Sequence, residues 1–262
     1  MKKILFVLSI AALLAVPALA QTAAEHISEG DAAYARFDDQ AALEHYQAAL
    51  KLEPSNYEAL YKASRAMVDI ADVIPATDKD AKARQQKLYT DATALARKAV
   101  AADPNDTWGH FSLAAANGKR LLMLGKKEQI QASREVKAEI DKAIELDPTN
   151  HLAWHALGRW NRRMDEIGGA KRFFGGIMYG SIPKGSYAES EKALRKAIEL
   201  HPEYVNHYLE LGRTLVAEKK YDEAAQSFQK ALDLPKTTSK DDVLKAEAKT
   251  ELDQLKAKGK SR

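Results

Sequence analysis

Cysteine is absent from this chain of 262 residues, and its absence excludes several kinds of structure and chemistry. Without thiols there is no disulfide, no cysteine nucleophile and no cysteine-based metal site. A lipid anchor on an N-terminal cysteine is excluded for the same reason. The fold must therefore be stabilised by side-chain packing alone.

The motifs of several common enzyme classes are also lacking. No serine lies in a Gly-x-Ser-x-Gly turn, and the glycines of residues 168–185 lack the Gly-Lys-Ser/Thr ending of a phosphate-binding loop. His151 and His155 lie four residues apart in "HLAWH", but this segment lacks the glutamate of the zinc-protease pattern and no further ligand is apparent. We therefore expect a protein that is not an enzyme and that has no metal or cofactor.

Neither sign of charge is in large excess. The formal net charge is +3, and without Lys2 and Lys3 the chain has 38 basic and 37 acidic residues. Nucleic-acid-binding proteins usually concentrate a strongly basic surface. The charge balance therefore predicts no nucleic-acid partner.

The longest hydrophobic run stands at the N-terminus. Lys2 and Lys3 precede an uncharged run over residues 4–16, and Pro17 with the small residues around Ala20 follows it. This order is typical of a secretory signal peptide, and the run is short for a membrane span of about 20 residues. We expect residues 1–20 to be removed and residues 21–262 to be exported to the periplasm or cell envelope; an uncleaved anchor is the alternative.

One short theme occurs five times along the chain. In each copy an amphipathic helix ends near a proline, which cannot continue a helix. The five copies are "ALKLEPSN", "AVAADPND", "AIELDPTN", "AIELHPEY" and "ALDLPKTT". Such self-similarity predicts a stack of helical hairpins.

The last two copies have nearly the spacing of a tetratricopeptide repeat. Pro202 and Pro235 are 33 residues apart, against about 34 in that repeat. Gly212, Ala224 and Ala231 place small residues where the two helices of the repeat approach each other. The sequence resembles tetratricopeptide repeats and predicts an all-α, right-handed superhelical solenoid of about five such hairpins, with insertions and a C-terminal capping helix.

Longer spacings between the other prolines predict insertions. Residues 72–86 indicate a lengthened first helix, a break at Pro75 and a second helix, and residues 125–137 indicate a lengthened hairpin. Near the C-terminus, Ser239 and Asp242 have the spacing of a capping box that would begin the final helix. The polar outer face of that helix suits the end of a solenoid.

The first helix of each hairpin usually lines the inner groove of such a solenoid. Aromatic side chains there would accept an apolar chain, and arginines would bind a phosphate or carboxylate. The candidate groove residues are Tyr61, Arg65, Trp108, Phe111, His155, Arg159, Arg162 and Arg213. The alternative is that the aromatic residues pack against neighbouring helices and the arginines pair with acids.

Residues 168–185 are rich in glycine and also apolar, with six of the thirteen glycines. Two interpretations stay open. The apolar residues either fill the core as a plug, or form a lid or membrane-touching tip beside Lys171 and Arg172, which would suit an acidic lipid surface. The lid candidates are Phe173, Phe174, Ile177, Met178 and Tyr179.

The segment from His151 onward resembles one family more narrowly. "LGRW" followed by the apolar glycine-rich insertion, and the closing "ALDLPKTTSKDDVLKAEAKTELDQL", are similar to the regulator of microtubule dynamics family over about residues 57–255. Animal members are membrane-anchored or cytosolic proteins linked to microtubules, and one binds and transfers phospholipid through its repeat domain. The resemblance implies a repeat domain without catalytic residues.

Three hypotheses follow for the function. The first is a non-enzymatic scaffold or adaptor whose concave groove binds a protein or peptide partner. The second is a phospholipid- or fatty-acid-binding or lipid-transfer module, with Arg65, Arg159 and Arg213 at the head group. The third, which rests on the family resemblance alone, is a microtubule-associated protein; an exported chain would not meet tubulin.

Overall fold

Helix follows helix through the residues that the structure describes, 21–75 and 79–260, in this computed structural model. The predicted signal peptide, residues 1–20, lies outside the described residues. Ten of the twelve α-helices in the described ranges form five hairpins. They are α1 (Ala23–Ala35) with α2 (Asp39–Leu52), α3 (Tyr57–Val73) with α4 (Lys79–Ala102), α5 (Thr107–Arg120) with α6 (Lys126–Leu146), α7 (His151–Glu166) with α9 (Tyr187–Leu200), and α10 (Val205–Ala217) with α11 (Tyr221–Asp233).

Two further helices complete the fold. Helix α8 (Gly169–Tyr179) is inserted within the fourth hairpin, and α12 (Asp241–Ala257) follows the fifth. The buried Ala248, Leu252 and Leu255 of α12 join the hydrophobic cluster formed by α10 and α11. The predicted all-α array of about five hairpins with a C-terminal capping helix is confirmed.

The segments after three of the repeated prolines begin new helices in the same way. The side chains of Asn56, Asp106 and Asn150 accept hydrogen bonds from backbone N–H groups in the first turns of α3, α5 and α7. These N–H groups have no acceptor within the helix, so each capping side chain satisfies a donor that would otherwise lack a hydrogen bond. The proline therefore ends one hairpin, and the residue two positions later starts the next.

Glycines at two helix crossings allow the close packing that the repeat pattern predicts. A Cβ atom on Gly158 would lie 2.5 Å from Cγ of Leu194, and one on Gly212 would lie 2.6 Å from Cδ1 of Phe228. No side chain fits at such distances, so only glycine lets these helices approach.

The insertions of the second and third hairpins are helical extensions. Helix α3 has 17 residues, α4 has 24 and α6 has 21, so the second and third hairpins are lengthened as predicted. None of the described helices combines the length and the apolar character needed to cross a bilayer.

The C-terminal segment crosses to the first two hairpins. Ser239 donates a hydrogen bond to the carboxylate of Asp39, and Nζ of Lys240 lies 2.6 Å from Oδ1 of Asp69 and 3.5 Å from Oδ2 of Asp72. The predicted capping box is therefore wrong: Lys240 is the N-cap of α12, no side chain caps that helix, and Ser239 has a distant partner instead. This contact joins the two ends of the array.

Candidate ligand-binding site on the inner surface

Three adjoining spaces lie on the surface formed by α3, α5, α7 and α10. The first, here called the apolar cavity, has a volume of about 150 Å³. A second space of about 250 Å³ is lined by Arg65 and Tyr204, and a third of about 210 Å³ by Arg159 and Arg213. Lys240 lines all three, so they meet around this side chain.

Apolar side chains form most of the wall of the apolar cavity. They include Phe111, Val136, Ile140, Leu152, Trp160 and Met164. Four basic side chains line the same cavity, namely Lys119, Arg159, Arg163 and Lys240. A pocket of this kind fits a ligand that joins an apolar chain to an anionic group.

Glu210 is the centre of an ion-pair network beside the cavity. Its buried carboxylate lies 2.5 Å from Nη2 of Arg162, 3.0 Å from Nη1 of Arg213 and 3.5 Å from Nε of Arg159. Burial opposes ionisation of Glu210, but these arginines outweigh it and hold the pKa of the carboxyl well below its usual value. Arg162 and Arg213 also pair with Glu166, Glu247 and Glu251, so both are neutralised by acids.

A second network surrounds Asp72. Its Oδ1 lies 2.6 Å from Nζ of Lys119 and accepts a hydrogen bond from the Tyr89 hydroxyl. Burial would raise the pKa of Asp72, but Lys119 and Lys240 lower it to about 2. Lys119 therefore pairs with Asp72, whereas Lys240 lies between Asp72 and Asp69 and makes its shorter contact with Asp69.

Three arginines of the inner surface are incompletely paired. Within the described ranges, no carboxylate lies within 4 Å of Arg65 or Arg163, and Nε of Arg159 is buried without a hydrogen-bond partner. Arg65 instead lies over the ring of Trp108, with 5.1 Å between Cζ and the ring centroid. Burial and the neighbouring Arg159 lower the pKa of Arg163. Arg159 and Arg163, one turn apart on α7, therefore form a basic pair that favours an anion.

Four histidines from α7, α10 and the preceding turn lie together beside these spaces. Nδ1 of His151 is 2.9 Å from Nε2 of His207, and Nδ1 of His155 is 3.0 Å from Nδ1 of His207. The ring of His201 lies 4.4 Å from that of His151. Burial lowers the pKa of His151 to about 4 and that of His155 to about 3, and it lowers the pKa of His207 as well. His207 uses both ring nitrogens, so the contacts form a chain of neutral imidazoles.

Helix α8 turns its apolar side chains to solvent. Phe173, Phe174, Ile177 and Met178 are 65–71% exposed. Arg172 holds the base of the helix by donating hydrogen bonds to the backbone carbonyls of Met164 and Pro183. The interpretation of these four residues as a plug in the core is therefore wrong, because their side chains are exposed to solvent. The side chain of Tyr179 lies outside the described part.

A family model described as "Regulator of microtubule dynamics protein 1-3" matches residues 26–256. The chain belongs to the regulator of microtubule dynamics family. It is 23% identical to regulator of microtubule dynamics protein 1 of Caenorhabditis elegans over 64% of this chain and 74% of that protein. It is 26% identical to the mouse protein of the same name over 75% of this chain, an alignment that spans 63% of the mouse protein.

Solved structures show that this family member has a tetratricopeptide-like fold. A thermophilic TPR protein of Thermus thermophilus has a TM-score of 0.63 and 18% identity, covering 88% of this chain and 99% of that protein. The pilF protein of Pseudomonas aeruginosa has a TM-score of 0.51 and 17% identity, covering 90% of each chain. These likenesses establish the fold.

The residues predicted for the groove of this family member have different environments in the structure. Tyr61 and Trp108 stack at 6.2 Å between ring centroids, and the edge of Phe111 meets Trp108 at 6.1 Å. Among these three rings, only Phe111 lines the spaces described above. His155 is buried in the histidine chain, and Arg162 and Arg213 pair with acids. Of the arginines predicted for the groove, Arg65 has no carboxylate within 4 Å in the described ranges, and Arg159 has the 3.5 Å contact with Glu210.

Three basic residues of the site were not predicted from the sequence. Arg163 follows Arg159 by four positions, so helical periodicity could have identified it. Lys119 lies at the C-terminal end of α5, and Lys240 precedes α12. Lys240 reaches the site only because the ends of the array meet, and no local pattern in the sequence indicates that contact.

Proposed function

We propose that this member of the regulator of microtubule dynamics family is a non-enzymatic binding module for an anionic amphiphile, a fatty acid or phospholipid. The acyl chain occupies the apolar cavity, and the carboxylate or phosphate lies against Arg159 and Arg163. Lys119 and Lys240 line the same cavity, where Asp72 and Asp69 pair with them.

The observation that carries this proposal is the basic pair beside an apolar wall. Arg159 and Arg163 are partly buried, and Arg159 has one ion pair of 3.5 Å with Glu210. A partly buried cation without a complete partner costs free energy, and an anionic head group would offset that cost by accepting hydrogen bonds from the guanidinium N–H groups. The apolar cavity alone, about 150 Å³, is small for a lipid. The adjoining spaces of about 250 and 210 Å³ extend it toward the usual size of ligand sites, about 300–1,000 Å³.

The geometry of this surface limits which peptides a scaffold could bind there. Lys240 fills the junction of the three spaces and is tied to Asp69, so a long peptide would have to displace it. The end of a peptide, with a free carboxylate and an apolar side chain, presents the same chemistry as a fatty acid. The ligand test therefore includes both sources.

The test compares matched ligands on the purified protein. A fluorescent fatty acid should bind about 10- to 150-fold more tightly than the alcohol of the same chain length, because a charge-assisted bidentate contact contributes about 1.5–3 kcal/mol. The double substitution Arg159→Gln with Arg163→Gln should abolish that difference. Arg195→Gln, which removes an exposed arginine paired with Glu191, is the matched control.

Each outcome has a direct meaning. Equal binding of the acid and the alcohol, or unchanged binding in the double variant, would refute the anionic site. Binding of a peptide with a free C-terminus, together with no binding of fatty acid and no phospholipid in an extract of the denatured protein, would favour the peptide partner. Co-sedimentation with tubulin at moderate salt would instead support a microtubule role.

A second candidate function is docking of the predicted lid on an anionic bilayer. The exposed Phe173, Phe174, Ile177 and Met178 share one face of α8. No acidic residue occurs between Glu166 and Glu189, whereas Lys171, Arg172 and Lys184 do. An apolar helix face flanked by basic residues is typical of an interfacial membrane helix.

Vesicle co-sedimentation tests the docking of α8. Replacing Phe173 and Ile177 by serine should release the protein from vesicles containing phosphatidylglycerol, whereas Leu52→Ser, at an exposed apolar residue outside α8, should not. Equal binding to neutral vesicles would contradict the electrostatic part. Equal release by Leu52→Ser would contradict a role of α8.

The proposed compartment is outside the cytoplasm. Residues 1–20 have the order of charge, apolar run and small residues that directs export. A mature chain beginning at Gln21, measured by intact mass after fractionation of cells, would support this proposal. A cytoplasmic chain that keeps Met1 would overturn it.

A further inference from the structure

Two histidines and one glutamate meet on the first hairpin, away from the inner surface. His26 and Glu29 lie one turn apart on α1, and His45 lies on α2. Oε2 of Glu29 is 3.1 Å from Nδ1 of His45 and 3.7 Å from Nδ1 of His26. All three ligand atoms lie within 4.8 Å of one another.

The polar contacts leave these three atoms available. Nδ1 of His26 is buried and has no hydrogen-bond partner within the described ranges. Gln21 donates from Nε2 to Oε1 of Glu29 at 2.7 Å, so the other carboxylate oxygen faces the imidazoles. A buried imidazole nitrogen without a partner is costly, which makes the cluster unusual for a purely structural contact.

The hairpin holds the two helices at a fixed separation. A Cβ atom on Gly30 would lie 2.5 Å from the ring of Tyr46, so α1 and α2 are in close contact one residue away from Glu29 and His45. The Tyr46 hydroxyl also donates to Oδ1 of Asp31 at 2.8 Å. The three ligands are therefore presented by a rigid, packed pair of helices.

The two contacts of Glu29 are close to the ligand spacing of a transition-metal site. Zinc bonds to histidine nitrogen and carboxylate oxygen at about 2.0–2.2 Å, which places tetrahedral ligand atoms about 3.3–3.5 Å apart. Side-chain movements of a few tenths of an ångström bring both contacts of Glu29 to that value, and the two imidazole nitrogens, which lie within 4.8 Å of each other, have to adopt the same spacing. Two imidazoles and one carboxylate suit zinc, and three protein ligands leave the fourth position for water.

We propose that His26, Glu29 and His45 form a zinc-binding site, with Gln21 as the residue that positions Glu29. The side chains of Glu29 and His45 are 42% and 36% exposed, so the ion reaches the site from solvent. The site is independent of the proposed amphiphile site, because it lies on a different hairpin and shares no residue with it.

The test titrates the metal-free full chain with zinc against a chromogenic chelator. The expected result is one equivalent of zinc per chain. His45→Ala and Glu29→Gln should each weaken binding by about tenfold or more, since loss of even a supporting residue costs about 10–100-fold in metal affinity. Glu44→Gln, which removes an exposed carboxylate next to His45 in the sequence, is the matched control.

Circular dichroism of each variant separates loss of the site from loss of the fold, since both substituted side chains are partly exposed. The absence of stoichiometric binding in the native chain would overturn the proposal. Full affinity in His45→Ala and Glu29→Gln would also overturn it, because the ion would then be held elsewhere, such as by the chain of His151, His155 and His207. An equal loss of zinc affinity in Glu44→Gln would overturn it too, because the loss would then reflect the general surface charge and not ligation by Glu29 and His45.

Discussion

Acidification from about pH 7.5 to pH 5 should destabilise the protein well before its carboxylates titrate. His151 and His155 have folded-state pKa values near 4 and 3, and the pKa of His207 is lowered too, in each case mainly by burial. An unfolded histidine has a pKa of about 6.5, so below that pH the unfolded chain binds protons that the folded chain excludes. Stability therefore falls as the pH drops below 6.5, and the loss for each histidine ends at its folded-state pKa.

The magnitude follows from the width of this window. Each pH unit between the two pKa values costs about 1.4 kcal/mol per histidine, so a fall from 6.5 to 5 costs about 2 kcal/mol for each fully buried ring. His151 is partly exposed and contributes less, which gives a total loss of about 4–6 kcal/mol for the three. Asp72, with a pKa of about 2, adds its own loss only below about pH 4. The total is comparable with the whole stability of many domains, about 5–15 kcal/mol.

Urea denaturation at several pH values measures this loss, with the unfolding free energy as the readout. NMR titration of the imidazole carbons provides an independent value of each pKa. The substitution His207→Gln should reduce the pH dependence by about a third, even where it lowers stability at neutral pH. A constant unfolding free energy between pH 7 and 5, or imidazole pKa values near 6.5, would refute the reasoning.

Three substitutions test the packing and the ion pairs. Glu210→Gln should cost about 3–5 kcal/mol in urea denaturation because it removes the buried carboxylate that Arg159, Arg162 and Arg213 share, whereas the exposed Glu199→Gln should cost little. Gly212→Ala should lower the unfolding free energy by about 1–3 kcal/mol through overlap with Phe228; equal stability would show that the helices move apart easily. Lys240→Met should cost about 3 kcal/mol by leaving a buried aspartate unpaired, and a neutral effect would contradict the closure of the array.

The helices could be predicted from the sequence because each helix boundary depends on local chemistry. The proline endings, the caps at Asn56, Asp106 and Asn150, and the glycines at helix crossings all act within one hairpin or between adjacent hairpins. Helical periodicity and the rules for how helices begin and end describe such features directly. The number of hairpins and the two lengthened ones therefore followed from the spacing of prolines.

The candidate site was less predictable because it depends on which partner each charge finds. Because the first helix of each hairpin usually lines the groove, Arg159, Arg162 and Arg213 could be predicted to lie in one region. The sequence alone could not show that Glu210 would neutralise two of them. The same limit applies to His45, whose neighbours belong to another helix. Periodicity gives the face of a helix that a residue occupies, whereas pairing requires the packing of helices against one another.

The closure of the array changes what the C-terminal helix does. Helix α12 covers the apolar end of the fifth hairpin through Leu252 and Leu255, which is the expected role of a cap. The turn before it does more, because Lys240 pairs with Asp69 of α3 and lines all three inner spaces. Since one side chain both joins the ends of the array and borders the proposed ligand, an anion bound at Arg159 and Arg163 would be linked to the stability of that junction. Ligand binding should then protect the amides of residues 237–241 from hydrogen exchange in the native chain, and this protection should be lost in Lys240→Met.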